Sequence, residues 1–154
     1  MIEIPNFKTL NIADIVCDYN GTIAKDGMLL PEVKELFHEL AQHYKLHVIT
    51  ADTFGTVSKQ LANHTVTVKI LSSQDHTAEK AKYIKSLGSQ NCIAIGNGNN
   101  DKDMLKTAAI GITILGDEGC ATQTLLNADI CFKNIDDALQ TLLHTKRLVA
   151  TLRN

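Results

Sequence analysis

The sequence predicts a doubly wound α/β fold: a mostly parallel sheet with helices on both faces. Three observations lead there. Short runs rich in Val and Ile recur along the whole chain, segments of helical spacing lie between them, and strongly polar residues follow directly on several of the runs. The 154 residues suit one hydrophobic core, which commonly organises about 100 to 200 residues, so 1–154 is read as a single unit.

The runs expected to form strands are 13–17, 46–49, 66–71, 92–95, 111–115 and 130–132. Among the helices, 31–42 has the plainest pattern. Val33, Leu36, Phe37 and Leu40 share one face, and Pro31 suits a first turn, where its missing N–H leaves no intrahelical bond unmade. Residues 78–87 place Ala81, Ile84 and Leu87 on one side, and 102–109 and 135–143 supply two more helices. A further helix is expected over 53–63, although three β-branched residues and Gly55 lower its propensity. Strand and helix in alternation build right-handed βαβ units, which is why the strands should run parallel. The chain has no internal repeat, low-complexity stretch or linker rich in Pro, Gly or Ser.

Composition narrows the classes of partner. Forty-four per cent of residues are apolar, and 15 basic against 17 acidic residues leave a net charge of -2. With no dense Lys/Arg cluster, nucleic acid and anionic membrane are not expected partners. Cys17, Cys92, Cys120 and Cys131 form no CxxC pair, so neither a zinc knuckle nor a redox dithiol is expected. They read as reduced core residues, which favours a cytoplasmic location. No secretion signal or apolar run of about 18 residues is present to alter that.

In an open parallel sheet, ligands bind beyond the carboxyl ends of the strands, so the polar residues there matter most. The first run ends in Asp18-Tyr19-Asn20-Gly21-Thr22, a carboxylate followed by a turn able to wrap amides around an anion. The second ends in Thr50-Ala51-Asp52, and the fourth in Gly96-Asn97-Gly98-Asn99-Asn100-Asp101, while the helix before the fourth begins near Lys80. Any one of these clusters is an ordinary turn. Their order along the chain is more specific.

In that order they resemble the haloacid dehalogenase (HAD) superfamily, and within it the phosphorylation domain of P-type ATPases and its stand-alone soluble relatives, from Ile15 to about Gly119. Asp18, Gly21 and Thr22 match the first motif, Thr50-Ala51-Asp52 resembles the Thr-Gly-Asp of the pumps, and Lys80 matches the third-motif lysine. The fourth motif of the pumps, Gly-Asp-Gly-x-Asn-Asp, appears as residues 96–101 with Asn97 replacing an aspartate. The resemblance implies a HAD-like Rossmann-type core, a phosphohydrolase activity and a Mg2+ cofactor. Asp18 is then the nucleophile, forming an aspartyl-phosphate, with Asn20, Thr50 and Lys80 as its catalytic companions. The implied phosphate-binding residues are Gly21, Thr22, Thr50, Ala51, Lys80 and Asn100. The implied metal ligands are Asp18, the main-chain carbonyl of Asn20, Asn97 and Asp101.

These residue types suit that chemistry. A phosphoryl group repels an incoming anion, so catalysis requires charge neutralisation and in-line positioning. One Asp18 oxygen can attack while the other meets a hard cation, Thr50 can donate to a phosphoryl oxygen, and the Lys80 ammonium balances the accumulated negative charge. Lys69, Lys82 and Lys85 lie nearby, but placement at a helix start selects Lys80.

Two departures from the family pattern carry information. Asn20 stands where most of these phosphatases have an aspartate that shuttles protons, help typically worth about 10² to 10⁴-fold, so slow turnover is expected. Asn97 removes a negative charge from the expected metal site and should weaken magnesium binding. His76, four residues before Lys80, is the nearest candidate to replace the lost acid/base group, whereas His43 and His47 lie beyond the helix end and do not form a zinc pair. Between Thr22 and Thr50 there is room only for a flap around Lys25-Asp26-Gly27 and one helix, so no cap domain is expected.

The resemblance implies, for an open site of this kind, either a large phosphorylated substrate, of unknown identity, or closure by a homo-oligomer. Two other functions compete with hydrolysis. One is a phosphate- or metal-responsive regulatory module built on the same fold, and the other is a phosphotransferase that delivers its aspartyl-phosphate to an acceptor other than water.

Overall fold

The computed structural model describes all 154 residues. Its strands are β1 (Ile2–Ile4), β2 (Lys8–Leu10), β3 (Asp14–Asp18), β4 (Ala24–Lys25), β5 (Met28–Leu29), β6 (Lys45–Thr50), β7 (Thr67–Ile70), β8 (Cys92–Gly96), β9 (Ile110–Ile114) and β10 (Ile130–Phe132). The helices are α1 (Pro31–Leu40), α2 (Val57–Gln60), α3 (His76–Leu87), α4 (Lys102–Thr107), α5 (Thr122–Asn127), α6 (Ile135–Leu143) and α7 (Thr145–Leu152).

Six strands form the main sheet in the order β10-β9-β8-β3-β6-β7, and every neighbouring pair is parallel. The expected "mostly" parallel sheet is therefore wholly parallel. Strands buried on both faces explain the continuous apolar runs: all five residues of β8 and of β9 are buried. From β3 the chain moves outward to β6 and β7, then crosses back to β8 and continues the other way. This reversal puts a crevice beyond the carboxyl ends of β3 and β8, where the sheet has its topological switch point.

The two faces are covered unequally. One carries α1, α2, α6 and α7 over a core that includes Phe37, Leu40, Leu139 and Leu148, joined by Ile4 and Leu10 from the β1–β2 hairpin. The other is a smaller cluster in which Ile84 of α3 and Met104 and Leu105 of α4 meet Val16, Ile49 and Ala94. Helix α1 buries the four residues of its apolar face, each worth about 1.5 to 3 kcal/mol of transfer free energy.

Several boundaries differ from the sequence reading for local reasons. Helix α3 begins two residues early because the Asp75 side chain caps it, accepting from the Ala78 N–H at 3.0 Å. The expected helix over 53–63 shrinks to α2, because Asp52 and Gly55 adopt positive φ and turn the chain first. The strands of the β1–β2 hairpin, at three residues each, and α5 and α7, at six and eight, are too short for a period to stand out; Leu125 and Leu126 of α5 remain exposed. Cys131 is a correction. It is exposed on the edge strand β10, where side chains alternate, and Cys120 is only partly buried, so Cys17 and Cys92 alone are core thiols, all four being free. His47 is also buried, unlike most of the histidines.

Candidate active site

Asp18 is the last residue of β3, and its carboxylate opens into a cavity of about 360 Å³. Thr50 and Ala51 from the end of β6, Lys80 from α3, Asn97, Gly98 and Asn100 after β8, Asn20, and Glu118 line the same cavity. The clusters written far apart in the sequence thus converge at one rim of the sheet.

Lys80 is the hub. Its ammonium lies 2.8 Å from Asp18 Oδ1, 2.7 Å from Asp101 Oδ1 and 3.0 Å from Asn100 Oδ1, and its side chain is 2% exposed. Burial alone would lower the Lys80 pKa, but the charges of Asp18 and Asp101 and the bonds to them outweigh it and hold the group above its ordinary value. The lysine is therefore a fixed cation beside Asp18. The neighbouring lysines point elsewhere: Lys69 sits 3.8 Å from Glu79 on another surface, and Lys82 is exposed there too.

Asp101 is fully buried and faces Lys80 rather than the cavity. Its second oxygen accepts the N–H groups of Asn97 at 3.0 Å and Gly98 at 2.9 Å, which shapes the turn after β8. Burial first, and the charge of Asp18 second, push its pKa up to about 6 against the pull of Lys80. This packing requires Gly96, since a Cβ there would lie 2.5 Å from Asp101 Cγ.

The loop after Asp18 is a tight coil in which the N–H groups of Thr22, Ile23 and Ala24 all reach the Tyr19 carbonyl. Thr22 donates or shares its hydroxyl between Asp18 Oδ2 at 3.1 Å and Asn97 Oδ1 at 3.2 Å, tying the first motif to the fourth. Asn97 Nδ2 in turn donates to the Gly119 carbonyl at 3.0 Å. The Asn20 side chain is turned toward the β4–β5 flap and accepts the Gly27 N–H at 2.9 Å, while the Tyr19 and Thr56 hydroxyls donate to the Gly27 carbonyl. Thr50 Oγ1 accepts the Asp52 N–H at 3.0 Å, leaving its own proton available to a ligand. His76 does not line the cavity.

The donor set suits a hard divalent cation. No group of three or more His, Cys, Asp or Glu side chains suited to a metal occurs in the chain, so a cation here relies partly on neutral oxygens. Those oxygens converge: a Cβ placed on Gly21, whose φ is +81°, would lie 2.9 Å from Asn97 Oδ1 and crowd Glu118 Oε2. Only glycine leaves that space open. Carboxylate, amide and main-chain oxygens are what magnesium prefers, and nothing softer is present.

Two elements of the site escaped the sequence reading. Glu118 lines the cavity, and its neighbour Asp117 binds Lys25 of the flap at 2.9 Å. Both follow β9 directly, so the rule of inspecting polar residues after each strand identifies them once it is applied to that strand.

No protein-family model matches the sequence. It is 48% identical over 79 residues to a protein of Methanocaldococcus jannaschii called "Uncharacterized protein MJ0073", a match covering 49% of this chain and 85% of that one. Among solved structures it resembles the 3-deoxy-D-manno-octulosonate 8-phosphate phosphatase of Moraxella catarrhalis, in complex with magnesium, phosphate and KDO. That match has a TM-score of 0.72 and 17% identity, and covers 93% of this chain and 94% of the other. The cobalt-bound form of the deoxy-D-mannose-octulosonate 8-phosphate phosphatase of Haemophilus influenzae gives a TM-score of 0.70 at 10% identity, covering 90% of this chain and 89% of the other. A zinc-transporting PIB-type ATPase in its E2.Pi state aligns with 80% of this chain and 20% of its own, with a TM-score of 0.65 and 22% identity. The chain belongs to the same family as the MJ0073 protein and has the capless α/β fold of the haloacid dehalogenase superfamily.

Proposed function

We propose that the protein is a magnesium-dependent phosphohydrolase that works through an aspartyl-phosphate on Asp18. The observation that carries this reading is the pairing of Asp18 with Lys80, 2.8 Å apart, at the mouth of a cavity that Thr50 also lines. An ion pair that merely stabilised the fold would have no reason to face an open cavity. One formed by a nucleophile and its charge-balancing partner must face one.

In this reading Asp18 attacks phosphorus with one oxygen, and the bond to the leaving oxygen breaks as the aspartyl-phosphate forms. Thr50 donates its hydroxyl proton to a phosphoryl oxygen, and Lys80 offsets the charge that nucleophile and phosphate bring together. Asp101 acts through Lys80 and through the turn it braces. Magnesium, when bound, draws charge from the phosphoryl oxygens, and Asp18, the Asn20 main-chain carbonyl and Asn97 would hold it. Asn20 cannot transfer protons, so leaving groups that need little protonation, such as aryl or acyl phosphates, are favoured substrates.

The test is release of nitrophenol from para-nitrophenyl phosphate with magnesium, with Asp18→Asn alongside. Release that depends on Asp18 supports the proposal, and its absence would favour a regulatory module. Asn20→Asp retains an acceptor for the Gly27 N–H and should raise the rate toward the 10² to 10⁴-fold range of general acid–base help, about tenfold at the least. A second reading also rests on Asn20. With its amide tied to the flap and no base in place, the aspartyl-phosphate would persist long enough for a partner to sense it or accept the phosphoryl group. A stable, Asp18-dependent phosphoprotein after acetyl phosphate treatment would favour this outcome over turnover.

A further inference from the structure

The cavity presents little negative charge to a divalent cation. Asp18 and Asp101 carry one negative charge each and Lys80 carries one positive charge between them, so a single net charge remains. Asn97, which shares Thr22 with Asp18, contributes none. A second carboxylate open to the cavity would favour a doubly charged ion at this place.

Glu118 is positioned to supply it. The loop that bears it is fastened to the site on both sides: Asp117 holds Lys25 of the flap at 2.9 Å, the Gly119 carbonyl accepts Asn97 Nδ2 at 3.0 Å, and the Ala121 N–H donates to the Asn97 carbonyl at 2.9 Å. Two of these three anchors are made by Asn97 itself. Between them the Glu118 carboxylate makes no hydrogen bond or salt bridge within the chain, and it lines the same cavity as Asp18 and Asn97. Its Oε2 and both terminal atoms of Asn97 crowd one point above Gly21, the point a Cβ would fill. Asp117 cannot do this work because Lys25 engages it, and Asp101 cannot because it is buried behind Lys80.

We infer that Glu118 is a cation-binding residue of this site, its carboxylate supplying, directly or through a bound water, the charge that Asn97 lacks. The inference rests on the magnesium-dependent reading above and adds a residue to it. Moving the carboxylate from the turn after β8 to the loop after β9 also links cation binding to the flap, because Asp117 and Lys25 join that loop to the β4–β5 hairpin.

Calorimetric titration of the full chain with magnesium chloride alone, without substrate, tests this, with circular dichroism as the check on folding. Glu118→Gln should weaken magnesium binding about 10-fold or more, within the range seen when groups supporting a metal site are removed. Asn97→Asp placed in the Glu118→Gln chain should recover most of that loss, since it restores a carboxylate at the same point. Unchanged affinity in folded Glu118→Gln, while Asp18→Asn loses binding, overturns the role of Glu118 and leaves the magnesium site standing. If Asp18→Asn binds as the wild type does, or the wild type shows no binding, the magnesium-dependent reading itself is overturned and Glu118 with it. Failure of Asn97→Asp to rescue would overturn the assignment of Glu118 as the replacement for that position.

Discussion

Strand β3 carries an aspartate at each end, and the two live in opposite circumstances. Asp14, at the amino end, is buried against His47, whose Nε2 lies 2.8 Å from Asp14 Oδ1 and whose Nδ1 lies 2.8 Å from the Tyr83 hydroxyl. Both ring nitrogens of His47 are therefore engaged, one by the Asp14 carboxylate and the other by the Tyr83 hydroxyl. Asp18, four residues on, is also paired, with the Lys80 ammonium, but its carboxylate borders an open cavity. A buried, paired aspartate is therefore not in itself a mark of chemistry. What separates the two is access: space left for a ligand at one end, packed side chains at the other.

Replacing each aspartate in turn would break this comparison if it is wrong. Asp18→Asn should lower phosphate release by about 10⁴-fold or more, the scale of losing a nucleophile, with little change in thermal midpoint. Asp14→Asn should do the reverse, with folded protein retaining near wild-type turnover. A large activity loss from Asp14→Asn in a folded protein would erase the distinction.

Lys80→Met addresses the hub between the two halves of the site. Removing the ammonium leaves Asp101 buried without its counter-ion, a defect that typically costs about 3 to 5 kcal/mol. Asp101 already holds its proton up to about pH 6, because burial and Asp18 raise its pKa, and losing Lys80 would raise it further. Below that range Asp101 is neutral and needs no partner. Urea denaturation should therefore show a larger loss from Lys80→Met at pH 8 than at pH 5, and an equal loss at both would show that Asp101 is not the group left exposed to the defect.

At the sealed end, Asp14→Asn should cost about 1 to 3 kcal/mol, the range for disturbing a buried hydrogen-bonded group, as measured by the shift in urea midpoint. The smallest effect belongs to Glu79, whose carboxylate accepts the N–H groups of Ser73 and Ser72 ahead of α3. The bonds from Ser73 foremost, then Ser72 and the charge of Lys69, hold its pKa down to about 2. A depressed carboxylate stabilises the fold above its unfolded pKa and loses that contribution as the pH falls through the folded one. The difference in melting temperature between wild type and Glu79→Gln should be present at pH 7 and close between about pH 4.5 and pH 2. A difference that persists at the lowest pH would assign it to shape rather than charge.

Much of the site was legible because the fold's rule is one-dimensional: strands end at one rim, so a polar residue after an apolar run declares its location. Asp18, Thr50 and the 96–101 turn are legible in that way, whereas Lys80 is legible from its place near a helix start and its match to a family motif. Glu118 obeys the same rule but belongs to none of the motifs that drew attention to the others. The orientation of Asn20 was not legible, because the side chain's choice between cavity and flap depends on the Gly27 N–H, which reaches it only once the hairpin has folded. Asp101 and Asp18 likewise look equivalent as written, yet one is sealed and the other open.

Periodicity along the chain dictates the alternation of strands and helices, and with it the parallel sheet and the rim where chemistry can occur. These follow from periodicity and covalent order, which are local. Only the tertiary structure decided which carboxylates face the cavity, which are walled in, and that a loop a hundred residues from Asp18 brings Glu118 to its side. Solvent access and charge proximity are properties of packed surfaces, and they do not exist until distant segments meet.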